Sequence, residues 1–444
     1  MRLVAISQSI FIAASLLLLG CNPDHSVKSE RGDIDVQIPV PAKRDENGNL
    51  NGPTFTFEVV KLLNVFNLNK VRGKFARFYL SPKIENDRLQ GVFPDADFIK
   101  NKNNVYTPTN ELSAKMSSIY YHIQNMALLD AKLGLGSINK LPRDIGIDVK
   151  YKNSKESTGF DKDNVFYEGK YDAIIFAPNE NDSIPIAING GIIAHEHFHS
   201  LFHKLVMEKL LKEKIITKEI PLTTHYLEDI LEEDIPQPTE ESGKVPEISA
   251  EQIKSSYNLV LLKGLNEGLA DFWGWMYTND DNFIIHSLPE VAEDRTLKIK
   301  KEDLPSLKIP TQDQIVSMIK VFSQNKGSFG GRLNFYSYDL GTQFARVMKV
   351  FAEKRKELKS VKLQSAKDDM AKAVVKFISN LPKTFKSKAQ EKMVEPAELV
   401  VQMILGIENL TVAECESVMQ ILTRTQEGQS EHKCKSENGK VTLQ

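Results

Sequence analysis

Three cysteines in 444 residues are too few for a scaffold built on disulfides. A formal net charge of −2, with 57 Lys and Arg against 59 Asp and Glu, gives no global field that would draw the chain to nucleic acid or to a membrane surface. The apolar run Ile10–Leu19 is too short to cross a bilayer as an ordinary helix, which needs about twenty residues. Long repeats and low-complexity tracts are also missing. What remains is a chain that is 41% hydrophobic and 26% charged, long enough for two or three domains and a sizeable core.

Residues 1–20, with Arg2 ahead of the apolar run, read as a targeting segment. Leu18-Leu19-Gly20-Cys21 resembles the bacterial lipobox, which implies cleavage before Cys21, a lipidated cysteine and a membrane-anchored exported lipoprotein. Asn22, where an aspartate would favour inner-membrane retention, fits the outer membrane. Residues 21–53 are polar and rich in Pro, Gly and Asn, and read as a flexible tether.

From Thr54 the pattern becomes that of a folded domain, expected over 54–205. Apolar residues alternating with polar ones at Phe55, Phe57 and Val59, and again at Phe75 and Phe78, predict strands. Met116, Ile119, Ile123, Met126 and Leu129 recur at helical spacing and predict a long amphipathic helix over 111–133. Ile145–Val149 reads as a strand. Asn164–Tyr167, a short turn and Tyr171–Ala177 read as a hairpin.

The segment Gly191–His203 contains HExxH. Ile192, Ile193, Ala194, Phe198, Leu201 and Phe202 make it apolar nearly all round, so it reads as a buried helix whose polar feature is a line of histidines. His195 and His199 stand one turn apart on one face and can reach a single Zn²⁺, while Glu196 beside them can act on water at the metal. His197 projects from another face, and His203 lies a turn further on, so both are placed outside the ligand set. A five-residue match of this kind arises by chance in roughly one such chain in a hundred, so a second motif is needed. Leu265–Gly274 supplies one: Glu267 and Asp271 share a helix face at i, i+4, and a zinc hydrolase needs a third protein ligand beside an open position.

HExxH followed by NExxxD resembles the gluzincin metallopeptidases, and NEGLADFWG is most similar to the thermolysin and fungalysin group. The resemblance implies that Glu267 is the third zinc ligand, that Asp271 accepts a hydrogen bond from His195, and that Asn266 does the same for His199. Such partners fix the tautomer and aim of each ligand. It further implies that Asn164, Val165 and Phe166 form the edge that pairs with extended substrate, although Val165 stands where the family has alanine. In Phe335–Gly341, the region similar to the one that supplies an oxyanion-binding His or Tyr, no histidine occurs. Tyr338, ahead of Tyr336, is the candidate there. One departure is the 68 positions from His199 to Glu267. They include an acidic, Pro-containing stretch from Glu228 to Glu241 that reads as a surface loop within an acidic and helical insertion at 206–257. This spacing keeps open a second gluzincin group, periplasmic peptidases with a distant E-x-x-A-D.

Beyond Asp271 the chain reads as helical, over a domain expected at 258–444. Thr311 with Gln314 and Thr411 with Glu414 are spaced as capping boxes. A bridge between Cys415 and Cys434 is expected if the protein is exported. The fold expected is α+β: a thermolysin-like zincin with an N-terminal mixed β-sheet and helix domain, a central HExxH helix and a mainly helical C-terminal domain. The function expected is hydrolysis of peptide bonds in peptides or proteins, with Glu196 and Tyr338 as catalytic residues. A non-catalytic surface-binding lipoprotein on the same fold is the competing class.

Overall fold

The computed structural model describes residues 30–42, 54–85, 88–150, 162–180, 184–213, 248–289, 292–299, 307, 309–324, 329–389, 393–423, 434–437 and 440–443. Alternating apolar residues up to Phe176 build two five-stranded sheets, and the rest of the chain is mainly helical, so the fold is mixed α+β. The first sheet has the order β3-β2-β1-β7-β6, from β1 (Gly32–Pro41), β2 (Phe55–Asn67), β3 (Arg72–Gly73), β6 (Phe98–Lys100) and β7 (Tyr106–Pro108). The second has the order β5-β4-β8-β10-β9, from β4 (Ala76–Glu85), β5 (Arg88–Val92), β8 (Arg143–Ile147), β9 (Val165–Glu168) and β10 (Ala173–Phe176). In it β4, β8 and β10 run parallel, while β9 turns back on β10 and ends the sheet.

Gly32–Pro41, read from composition as part of the tether, is instead a strand paired along its length with β2. Ile34, Val36 and Ile38 enter the core at period two. Only three side chains carry that alternation, between charged residues and two prolines, so composition concealed it.

Helix α1 (Glu111–Lys132) starts at Asn110, whose side chain accepts the Ser113 N–H. It packs on β1 and β2, where Gln124 bonds both Leu63 N and Lys61 O, at 2.6 and 3.0 Å. Its other neighbour is α2 (Gly190–Phe202), in which every residue is buried. The α2 helix runs on through a π turn, His203–Met207, into α3 (Glu208–Lys212).

Helix α4 (Ala250–Thr278) opens with a capping box between Ser249 and Gln252. Ala250–Tyr257, expected inside the insertion, are therefore the first turns of the helix that carries Glu267. The acidic stretch 228–241 lies outside the described residues. After α4 come α5 (Ala292–Arg295), α6 (Gln312–Gln324), α7 (Phe329–Lys359), α8 (Leu363–Ala389), α9 (Pro396–Leu405) and α10 (Val412–Thr423), then a hairpin of β11 (Cys434–Glu437) and β12 (Lys440–Leu443). Capping-box bonds are present at Thr311/Gln314 and Thr411/Glu414, ahead of α6 and α10. A disulfide joins Cys415 to Cys434. Among the described residues no helix is long and apolar enough to cross a membrane. Cys21 and the targeting segment lie outside them.

Candidate metal centre

Two helices carry the centre, and side chains without bulk bring them together. Asn189 caps α2, accepting the N–H of Gly191 and Ile192 on its side-chain oxygen while its amide donates to Phe283 O at 2.7 Å. At Gly191 and Gly274 the backbones of α2 and α4 approach so closely that a Cβ on Gly274 would lie 2.8 Å from Gly191 O. The Phe198 and Trp273 rings, 5.2 Å apart, fill the space beside this crossing. On its far side α4 meets α7, where a Cβ on Gly268 would sit 2.3 Å from Gly341 O.

This packing puts His195 Nε2 and His199 Nε2 2.9 Å apart. Glu267 Oε2 lies 3.5 Å from the first and 3.9 Å from the second. Ligands about 2.0–2.1 Å from a tetrahedral ion are separated by about 3.3 Å, and the three distances bracket that value. The buried group His195, Glu196 and His199 could hold a metal ion, and no second such cluster occurs elsewhere among the described residues.

The two nearby carboxylates are set differently. Burial pushes Glu267 up, but His199, His195 and Arg295 outweigh it and hold the group well below the usual carboxylate range. Neither of its oxygens has a hydrogen-bond partner, which leaves a buried anion facing two imidazoles. Glu196 is pushed up to about 7, chiefly by burial, with His195 opposing. Its Oε2 accepts the backbone N–H of Tyr167 on β9 at 2.9 Å. Orphaned oxygens on a charged carboxylate and two converging Nε2 atoms are donors that could hold a metal ion.

Around them stand the supporting groups. Asp271 Oδ1 lies 2.9 Å from His195 Nδ1. Burial disfavours charge on His195, yet the Asp271 and Glu267 carboxylates facing it raise it to about 9, so a proton there supplies positive charge without a metal. His199 is lowered to about 4 by burial and by the facing His195. Asn266 lies where it favours a charged His199, although its amide makes no well-directed bond.

Arg295, at the end of α5, donates to both oxygens of Asp271, at 2.6 and 3.3 Å, and reaches within 3.5 Å of Glu267. Sequence reasoning missed it, because it belongs to no motif and stands 24 positions past Asp271. The Tyr338 ring lies on Arg295, 4.9 Å from its guanidinium carbon, and 5.1 Å from Lys263 Nζ. Tyr338 is therefore beside the centre, whereas Tyr336 packs on Phe322.

The segment Asn164–Phe166 enters β9, the sheet edge beside α2. Val165 and Phe166 are buried, and Asn164 accepts the N–H of Val165 on its own side chain. What β9 gives the centre directly is the Tyr167 N–H, which no sequence pattern marked. The hairpin is held by Asp172, which accepts from the Tyr167 hydroxyl at 3.0 Å and Lys204 at 2.6 Å and pairs with Arg143. Arg143 in turn donates to Ser200 on α2 at 3.0 Å. His197 bonds Asp130 at 3.1 Å, away from the cluster, and His203 packs under the hairpin against Tyr167 and Gly169.

Models of known protein families give no match to the chain, and curated proteins give none.

Proposed function

We propose that the protein is a zinc-dependent endopeptidase of the gluzincin class, exported and held at a membrane by a lipidated Cys21. The observation that carries this reading is the opposite setting of two carboxylates around one histidine pair. Glu267 is an anion without hydrogen bonds, suited to a ligand, and Glu196 is poised near neutrality with one oxygen tied back, suited to proton transfer.

His195, His199 and Glu267 would hold Zn²⁺, which when bound supplies Lewis acidity that polarises a carbonyl and acidifies water. Asp271 engages Nδ1 of His195 and so keeps Nε2 as the ligand atom. Glu196 takes a proton at Oε1 from the attacking water and returns it to the leaving nitrogen, while Tyr167 N–H keeps the carboxylate aimed. An extended peptide pairs with the edge strand β9. Tyr338, on Arg295, is the candidate for steadying the oxyanion.

One observation favours a second reading, a metal-binding lipoprotein without activity: His195, Glu196, His199 and Glu267 are all at most 4% exposed. One experiment separates the two. Elemental analysis should give one zinc per chain, and a mixed peptide library should be cut at internal bonds, with chelator stopping cleavage and zinc restoring it. Glu196→Gln should keep zinc and helical content and lose turnover by roughly 10²–10⁴-fold. Zinc without cleavage by the wild type would favour the binding reading, and absence of zinc would sink both.

A further inference from the structure

The outer side of the first sheet carries apolar side chains where a solvent-facing sheet is polar. Paired residues of β1 and β2 share a side. Val36 and Val60 face the core, so Gln37, Phe57 and Val59 face outward. Thr107 donates its hydroxyl to Gln37 at 3.1 Å and opposes Ile99 in the β6–β7 pair, which places Ile99 on the same outer side. Phe57, Val59 and Ile99 are 51%, 58% and 50% exposed. The charges there, Lys61 and Asp35, neutralise each other at 2.7 Å.

Two facts indicate what covers this face. Three half-exposed side chains offer on the order of 300 Å², short of the roughly 800 Å² per partner buried in a stable interface between copies. The described chain also enters the sheet at Glu30, whose carboxylate pairs with Lys100 at the end of β6 at 3.1 Å. Glu30 is nine residues from Cys21, a reach of about 30 Å when extended. An acyl anchor on Cys21 thus brings this sheet, before any other part of the described chain, to the lipid. We propose that the outer side of the first sheet rests on the bilayer, with Phe57, Val59 and Ile99 at the boundary between headgroups and acyl chains. This rests on the lipid anchor and is independent of the peptidase chemistry.

The test uses the acylated full chain carrying Val59→Cys. Cys21 is blocked by its lipid and Cys415 and Cys434 are bridged, so the introduced thiol alone takes an environment-sensitive fluorophore. Phe335→Cys, at a side chain 73% exposed on α7, is the reference. In phosphatidylcholine vesicles the label at position 59 should emit at shorter wavelength than the reference. Lipids spin-labelled near the headgroup should quench it several-fold more. Equal, water-like emission at both positions would overturn the proposal. A shift at 59 that grows with protein density but is not quenched by lipid would assign the face to a second copy instead. Intact mass lacking acyl chains on Cys21, with the protein free of vesicles, would remove the anchor and the proposal with it, leaving the zinc and cleavage measurements unaffected.

Discussion

Arg295 is the clearest case of a residue whose role depends on its partners. Asp271 and Glu267 are buried carboxylates on one face of α4, and Arg295 is the guanidinium between them. Removing it leaves a proton on His195 to balance two buried carboxylates, and breaking a buried ion pair typically costs about 3–5 kcal/mol. A bound zinc ion would neutralise part of that charge. Arg295→Met should therefore lower the melting temperature of chelator-treated protein clearly more than that of zinc-loaded protein. Equal losses in both states would show that Arg295 is not a counter-charge for the centre. The wild type should keep its helical content without metal, because a proton on His195, raised to about 9, supplies positive charge beside the carboxylates.

At the level of elements, the centre depends on how closely helices pack. A Cβ at Gly341 would meet Gly264 O and Gly268 N at 2.9 Å and Glu267 Cβ at 3.0 Å, so backbone must move. At Gly264 the nearest atom is the end of the Leu340 side chain, which can turn aside. Gly341→Ala should cost about 1–3 kcal/mol by overpacking and weaken zinc binding through Glu267, with Gly264→Ala milder in both. Competition with a chelator of known affinity measures the difference, and equal zinc affinity in Gly341→Ala and wild type would refute this dependence. The α1–α2 contact gives a pH signature. His122 faces Gly190 and bonds the Tyr277 hydroxyl at 2.8 Å, and burial lowers its pKa to about 3. Its folded pKa lies below the unfolded value near 6.5, so the unfolded chain binds the proton better between them. The stabilisation is complete above about pH 6.5 and is lost as pH falls toward 3, by up to about 1.4 kcal/mol per pH unit. His203, lowered to about 4 chiefly by burial, acts with the same sign. Melting temperatures from pH 7 to pH 4 should fall less steeply in His122→Gln than in the wild type; parallel curves would exclude His122 as the cause.

For the molecule as a whole, the disulfide is formed by elements that contribute no residue to the candidate metal centre. It ties α10 to β11 across 19 positions, and loop entropy alone assigns about 3 kcal/mol to such a closure. Gentle reduction should lower the thermal stability of the C-terminal helices while leaving bound zinc unchanged. Loss of zinc together with the bridge would mean that the two parts unfold as one unit. Arg355, buried and joined to Glu414 and Asp369, makes a second link among these helices that reduction leaves in place.

Local patterns carried much of this structure. The helical spacing of Met116, Ile119 and Ile123 marked α1, and the apolar surroundings of His195 and His199 marked a fully buried helix. The Thr311 and Thr411 capping boxes marked the starts of α6 and α10. Such signals are short-range: a helix face repeats within four residues, and a cap is satisfied within three. Other features had no local signal. The strand at Gly32–Pro41 exists because β2 pairs with it, and the first turns of α4 hid in a stretch read as an insertion. His122 meets Tyr277 across 155 positions. The sequence by itself determined that helices form at 111–133 and around HExxH and that two histidines share a face. Only the tertiary structure decided which carboxylate stays charged, which sits near neutrality and which arginine compensates them, because burial and counter-charge are set by the neighbours that packing supplies.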